Sequence, residues 1–122
     1  MKTSGSEISS RLPLQPRDFL ILLALAEGER HGYGLIQDLE QLSDGQVRID
    51  PANLYRSLRR LARDGLVTDL GRRSAAVGDE RRRYYAITGS GGRLAAAEAE
   101  RLDRLTAIAR DRLLISRPEG SR

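Results

Sequence analysis

Arginine is the residue type best placed to do chemistry in this 122-residue sequence, and its side chains are concentrated in one block. Residues 46–88 contain ten Arg and five acidic residues, a net charge of +5, whereas the chain as a whole carries +4. A guanidinium group can form paired hydrogen bonds to a phosphate or to the O6 and N7 atoms of guanine. This block therefore predicts binding to a nucleic acid.

The sequence offers few residues that could catalyse a reaction or bind a metal. The sequence has no Cys and one His, His31, which excludes thiolate catalysis and zinc sites built on sulfur. We therefore expect no enzyme, no metal and no cofactor, and we interpret His31 as a capping or packing residue. The longest apolar run, Phe19–Ala26, is much shorter than the roughly 20 residues of a membrane span. We expect a cytoplasmic protein that does not contact a membrane.

The arginines of the block fall on one side of a predicted helix. Asp50 and Pro51 form a strong helix start, and Gly65 favours an end after Asp64. Three leucines lie within about 60° of one another around the helix axis. They are Leu54, Leu58 and Leu61, and the opposite side carries Arg56, Arg59, Arg60 and Arg63. A solvated surface helix would more often mix Glu with Lys, so this split favours leucines on the core and arginines on DNA.

The remaining elements are predicted from periodicity and from Gly and Pro positions. They are helices over Pro16–Glu27, Gly32–Ser43 and Arg93–Ile115, and strands over Gln46–Ile49, Leu66–Leu70 and Arg82–Ile87, with a basic loop at 71–81. The order predicts a mainly α protein with a small β hairpin, an α+β winged helix-turn-helix followed by a long helix. We divide the chain into a flexible tail (1–12), a DNA-binding domain (13–88), a dimerisation helix (89–116) and a second tail (117–122).

The last helix predicts a homodimer. Its apolar positions form a stripe with spacings of 3, 4 and 4 residues, and a helix of this length, about 34 Å, exceeds what so small a domain can cover. The stripe consists of Leu102, Leu105, Ala109 and Leu113. We add Phe19 to the predicted dimer contacts, because its helix is apolar on nearly all sides and must be covered more than once.

Three segments together resemble the PadR family of transcriptional regulators. They are His31-Gly-Tyr-Gly-Leu-Ile36, the segment Asn53–Val67, and Asp79–Thr88, and the resemblance covers residues 14–94. The short C-terminal part resembles the compact branch of the family, with one dimerisation helix per subunit. The resemblance implies a regulator, usually a repressor, that binds a pseudo-palindromic operator in double-stranded DNA and whose affinity can respond to a small-molecule effector.

The sequence departs from the family pattern in two places. The family usually has Thr-Pro-Glu-Gly at the start of its last helix, where this chain has Thr88-Gly-Ser-Gly91, so we expect a looser junction there. Some compact members hold flat aromatic ligands between Trp side chains, and this chain has no Trp, which disfavours such a pocket.

The DNA-contacting side chains are predicted as follows. Arg56 and Asn53, near the start of their helix, are assigned to base edges, and Arg60 and Arg63 to phosphates, with Arg59 on the same side. The family pattern favours phosphate contacts for Tyr55 and, less strongly, Tyr33. The wing candidates are Arg72, Arg73, Arg81, Arg82 and Arg83. Since neighbouring strand residues face opposite sides, at most two of the last three should face DNA.

One alternative from another class remains open at this stage. A winged-helix module could use the basic helix to bind an acidic protein. Such an interaction surface would more often expose apolar anchors than arginines alone. A gel-shift experiment with the DNA upstream of the protein's own gene would separate the two hypotheses.

Overall fold

The computed structural model describes residues 5–74 and 81–113, which form five helices and three strands within those ranges. The helices are α1 (Gly5–Ser10), α2 (Pro16–Ala26), α3 (Gly32–Leu42), α4 (Pro51–Arg63) and α5 (Gly89–Leu113). The strands are β1 (Arg30–His31), β2 (Val67–Ser74) and β3 (Arg81–Ile87). This order confirms the predicted winged helix-turn-helix fold with a long last helix. The loop predicted at 71–81 is wrong at both ends, because residues 71–74 belong to β2 and Arg81 belongs to β3. Residues 75–80 of that loop and the predicted tail at 117–122 lie outside the described residues.

The sheet is antiparallel, with the strand order β1-β3-β2. The strand predicted at Gln46–Ile49 is wrong: this segment is irregular, and Ile49 packs into the core. The edge of β3 that a third strand could use is occupied by β1, whose Arg30 pairs with Tyr85 and His31 with Tyr84. A two-residue strand is too short to show an alternating pattern in the sequence. It is defined by its pairing with β3, which lies far away along the chain.

The N-terminal segment also differs from expectation. Residues 5–10 form α1 where we predicted a flexible tail over 1–12. Ile8 and Leu12 are partly buried and pack against the core. Burying these two apolar side chains stabilises a helix in a segment whose polar composition predicted a flexible tail.

Helix α4 has the two sides that its sequence predicts. The Asp50 carboxylate accepts a hydrogen bond from the backbone N–H of Asn53 at 2.9 Å, which caps the helix start. Leu54, Leu58 and Leu61 are all buried in the core. These contacts hold the opposite side of the helix outward.

The junction between β3 and α5 is well ordered by hydrogen bonds, and the looser junction that we expected is not found. The Thr88 hydroxyl accepts from the backbone N–H of Gly91 at 3.0 Å and donates to the carbonyl of Gly65 at 2.7 Å. A Cβ atom at Gly91 would collide with the Leu66 carbonyl oxygen. Thr88 therefore caps the helix without the missing Pro and Glu, and Gly91 allows the helix to approach the backbone before β2.

Helix α5 is covered by the rest of the chain over its first half. Leu94, Ala95 and Glu98 are buried, whereas Leu102, Leu105 and Leu113 are exposed. None of the helices in the described ranges is both long enough and apolar enough to cross a lipid bilayer.

Candidate nucleic-acid interface

A groove of about 640 Å³ lies where the start of α3, the side of α4 and the β2–β3 hairpin meet. Six of the residues predicted to bind DNA line it: Tyr33, Tyr55, Arg59, Arg72, Arg82 and Arg83. The fold thus brings side chains from three separate sequence blocks to one basic surface. No chemistry other than hydrogen bonding and charge attraction is required of them.

The outer side of α4 presents three exposed arginines, Arg56, Arg59 and Arg63. They recur every three or four residues and therefore form one strip along the helix. Arg59 also lines the groove, so the strip and the groove share this residue. Its arginines are held by the buried leucines on the other side of the same helix.

Arg56 and Asn53 are joined in a short chain of hydrogen bonds. The Asn53 amide donates to Asp50 at 2.7 Å, and its carbonyl oxygen accepts from Arg56 at 2.6 Å. The side-chain and backbone N–H groups of Asn53 hold the pKa of Asp50 below its ordinary value, with the backbone contact contributing most. Asn53 therefore orients the Arg56 guanidinium at the start of the helix.

Arg60 does not belong to the exposed strip. Both of its terminal nitrogens donate to the Asp18 carboxylate at 2.9 Å, and Asp18 is 4% exposed. The hydrogen bond to Asp18 raises the pKa of Arg60 above its ordinary value. The phosphate contact predicted for Arg60 is therefore replaced by a structural role, in which Arg60 joins α4 to α2 by neutralising a buried charge.

The two tyrosines differ in how much of the side chain is free. Tyr55 is half-buried, and its hydroxyl lies against Gly32 at the start of α3, so closely that a Cβ atom there would collide with it. Tyr33 is exposed at the rim of the groove. Tyr85 is buried beside Tyr55, with ring centroids 6.4 Å apart, and burial raises its pKa to about 12. Tyr55 thus sits between the core and the groove, as its helix position predicts.

The hairpin arginines have partners of their own within the chain. Arg73 donates to Glu29 at 2.6 Å and lies over the Tyr84 ring, and Arg83 donates to Asp69 at 2.9 Å. Arg72 is exposed at the groove. The side chain of Arg81 lies outside what the structure describes. Each ion pair is partly exposed, so a competing phosphate would meet little resistance.

Arg82 and His31 both line the groove and contact each other. The Nδ1 atom of His31 accepts from the backbone N–H of Gly34 at 3.0 Å, which confirms the predicted capping role. Its Nε2 atom lies 3.1 Å from an Arg82 terminal nitrogen, and the Arg82 guanidinium is 5.7 Å from the Tyr33 ring centre. Burial and the nearby Arg82 charge lower the pKa of His31. Sequence reasoning missed that the second ring nitrogen faces this basic surface.

Metal binding finds no support in the described ranges, where no three His, Asp or Glu side chains gather as ligands. The available charges are guanidinium groups, and most of the acidic groups near them are already paired. Such a surface is suited to a large anion with regularly spaced charges.

The family model for the transcriptional regulator PadR-like family matches residues 21–97, which is more than half of the chain. The chain belongs to this family. PadR-like regulators bind DNA, so the family assignment accounts for the basic groove and the arginine strip. The family is one of transcriptional regulators.

Solved structures of transcriptional regulators share the fold at low sequence identity. A transcriptional regulator from Clostridium thermocellum is 24% identical, with a TM-score of 0.63 over 89% of this chain and 96% of its own. A PadR family regulator from Clostridium difficile is 17% identical, with a TM-score of 0.68 over 81% and 99%. A PadR-like regulator from Bacillus cereus is 19% identical, with a TM-score of 0.67 over 93% and 100%.

A protein of 37.1 kDa encoded in a transposon of Streptomyces fradiae is 36% identical to this PadR-like chain over 87 residues. The match covers 71% of this chain and 23% of the transposon protein. The chain thus spans about a quarter of the length of that relative.

Proposed function

We propose that this PadR-like protein is a homodimeric repressor that binds a specific operator in double-stranded DNA. The observation that carries the proposal is the continuous basic surface formed by the exposed arginines of α4 and the groove beside the hairpin. In our division, residues 13–88 are the DNA-binding domain and residues 89–116 provide dimerisation. We place the protein in the cytoplasm, where its operator would be.

Helix α4 is the recognition helix of this proposal. A helix with its side chains is about 10–12 Å across and fits a major groove about 12 Å wide, and the exposed strip from Arg56 to Arg63 runs about 10 Å along the axis of α4. Arg56 lies near the start of the helix, the end that reaches base edges in helix-turn-helix proteins. We assign Arg56 to a guanine, with Asn53 as its positioning residue, and Arg59 and Arg63 to phosphates.

The hairpin and the tyrosines follow the DNA backbone in this proposal. Arg82, together with Arg72, Arg73 and Arg83, would exchange its partners within the chain for phosphates. We leave Arg81 as a candidate on the ground of its sequence position alone. The hydroxyls of Tyr33 and Tyr55 would donate to phosphates at the boundary between α3 and α4.

Dimerisation through α5 is supported by what the chain leaves uncovered. Leu105 is 45% exposed and Leu113 70%, and both belong to the predicted stripe with Leu102 and Ala109. Ile108, at 39% exposed, lies outside the predicted stripe and extends its apolar surface. A second copy of the chain would remove these side chains from water.

Helix α2 supplies the other half of that contact. Phe19 is partly buried against the chain's own core, and Leu23, one turn later on the same side, is exposed. Phe19 is therefore a weaker dimer candidate than the sequence suggested. We propose that the partner's α5 covers Leu23 together with the exposed edge of Phe19.

Replacing Leu105 with Asp tests the dimer. A carboxylate at the centre of the stripe would be buried unpaired in the dimer, so Leu105→Asp is expected to yield monomers. Ala107→Asp is the matched control, because Ala107 is exposed on the opposite side of the same helix. Light scattering at micromolar concentration measures both. A native chain that is monomeric, or a Leu105→Asp variant that is still dimeric, would contradict this interface.

A two-fold dimer should protect two symmetric half-sites about 34–36 Å apart, one helical turn of DNA. Footprinting on the operator measures this spacing. A single protected half-site without a symmetry mate would argue against a dimer that reads two half-sites.

We propose further that a small molecule releases the repressor from DNA. This proposal rests on the family resemblance, and no residue is assigned to the small molecule.

The direct test of DNA binding is a gel shift with the DNA upstream of the protein's own gene. We expect a shift that survives excess scrambled duplex and excess polyglutamate. Polyglutamate supplies negative charge without bases or phosphates and therefore represents an acidic protein partner. Displacement of the DNA by polyglutamate, at equal charge, would favour the acidic-protein interaction module over the repressor.

A further inference from the structure

His31 has more donors around it than its ring can satisfy. A neutral imidazole carries one N–H and one lone pair. Since Nδ1 accepts from the Gly34 N–H at 3.0 Å, the proton must be on Nε2. That N–H faces an N–H group of Arg82, with the two nitrogens 3.1 Å apart. The N–H groups of His31 and Arg82, both hydrogen-bond donors, therefore face each other, and neither can accept from the other.

Adding a second proton to the ring does not resolve this mismatch. A doubly protonated ring would lose the lone pair that caps α3, and it would place a positive charge beside Arg82. Burial lowers the pKa of His31, as do the Arg82 and Arg30 charges, against a smaller opposing contribution from Asp38. Arg30 is itself paired with Asp38 at 3.1 Å, and the Tyr84 ring meets the imidazole edge-on. The ring is neutral near pH 7.

An anionic oxygen between the two groups would satisfy both donors. Of the groups that the proposed function brings into this groove, a phosphodiester oxygen is the one that carries charge and accepts from several donors. The start of α3 adds to the attraction, because the N–H groups of a helix N-terminus favour an anion. In helix-turn-helix docking the helix before the recognition helix crosses the DNA backbone, which places α3 at a phosphate.

We propose that His31 is a phosphate-binding residue, whose Nε2–H donates to a DNA backbone phosphate when that phosphate draws the Arg82 guanidinium away from the ring. The proposal rests on the proposed function. It gives His31 two roles on its two nitrogens: Nδ1 holds the start of α3, and Nε2 contacts DNA. The ring thus connects the position of the helix to the position of the phosphate.

The chain has a single histidine, so long-range ¹H–¹⁵N NMR spectra report on His31 alone. In the free protein we expect the tautomer with the proton on Nε2. On addition of operator duplex we expect the same tautomer, with the Nε2 proton shifted downfield and slowed in its exchange with water. A proton on Nδ1 in the complex, or an Nε2 signal that DNA leaves unchanged, would overturn the proposal.

His31→Asn separates the two roles in binding measurements. Asn is among the best capping residues and keeps an acceptor for Gly34, but it lacks the Nε2 donor. Loss of one hydrogen bond from the neutral ring to a charged phosphate should weaken binding to operator and scrambled duplex alike by about ten- to a hundredfold. The salt dependence should not change, because a neutral ring releases no counterion, whereas Arg82→Ala should reduce the slope by about one.

His31→Ala, which loses the cap as well, should melt at a lower temperature than His31→Asn. A His31→Asn variant that melts like the native protein and binds DNA with native affinity would overturn this role and leave the proposed function intact. A native chain that binds neither duplex would overturn both.

Discussion

Two neighbouring arginines on α4 should affect different properties of the protein when each is replaced by Ala. Arg60 donates two hydrogen bonds at 2.9 Å to Asp18, which is 4% exposed, whereas Arg59 is exposed in the basic groove. We therefore expect Arg60→Ala to lower the free energy of unfolding and Arg59→Ala to lower DNA affinity.

The loss for Arg60→Ala follows from the burial of its partner. Removing one member of a fully buried ion pair costs about 3–5 kcal/mol, because the other charge is left unpaired. The Arg60 side chain is 41% exposed, so water can partly screen the orphaned carboxylate, and we expect about 2–3 kcal/mol. For a chain of this size that corresponds to a melting temperature lower by roughly 6–15 °C.

The assays are thermal unfolding followed by circular dichroism and DNA binding followed by fluorescence anisotropy. Arg59→Ala should change the free energy of unfolding by no more than about 0.5 kcal/mol, as exposed substitutions usually do. It should weaken binding to operator and scrambled duplexes and lower the salt slope by about 0.9.

Asp18→Asn provides a check on sign. It should destabilise the native chain, whose Arg60 loses a charged partner, but stabilise the Arg60→Ala variant by removing the orphaned charge. Equal melting temperatures for Arg60→Ala and the native protein would refute the structural role of Arg60. A destabilising effect of Asp18→Asn in both backgrounds would refute the reasoning about the buried charge.

Two further predictions concern α5. Gly91→Ala should destabilise the fold by at least about 1–3 kcal/mol, because its Cβ would collide with the Leu66 carbonyl, whereas Gly92→Ala, with open space around it, should not; thermal unfolding measures both. Arg101 holds the pKa of the buried Glu98 below its ordinary value, so Glu98 contributes stability above an unfolded pKa of about 4.3, and this is lost as the pH falls through the folded pKa. In acid unfolding followed by circular dichroism, Glu98→Gln should therefore be less stable than the native protein near pH 7 and should lose less stability as the pH falls below about 4.3; a loss as large as that of the native protein would contradict this assignment.

Local patterns account for most of the helices and for the side of α4 that faces outward. Asp50-Pro51 and the leucine spacing act within one or two helical turns, so the sequence carries them directly. Arg60 illustrates the limit of such reasoning. Its angle around the helix differs little from that of Arg56, and only the position of Asp18, 42 residues earlier, makes one a structural residue and leaves the other exposed.

The strands predicted at Leu66–Leu70 and Arg82–Ile87 correspond to β2 and β3, whereas the one predicted at Gln46–Ile49 failed for a related reason. Alternation at Gln46–Ile49 looked more like a strand than Arg30–His31 did, yet pairing with β3 is decided by which segment the helices bring to its edge. The same holds for Gly91 and for the second nitrogen of His31. Gly91 faces Leu66 and the Nε2 atom of His31 faces Arg82, and both neighbours are distant in sequence. The family motifs predict the basic DNA-binding surface but not these individual contacts.

The central claim is that α4 reads bases while the hairpin binds the backbone, and Arg56→Ala compared with Arg82→Ala tests it most directly. Both variants are measured by fluorescence anisotropy on operator and scrambled duplexes across a salt series. Arg56→Ala should lose about 1–3 kcal/mol mainly on the operator, so that specificity falls. Arg82→Ala should weaken binding to both duplexes alike and lower the salt slope by about one, with operator preference kept. Equal proportional losses on the two duplexes for Arg56→Ala would contradict base reading by α4.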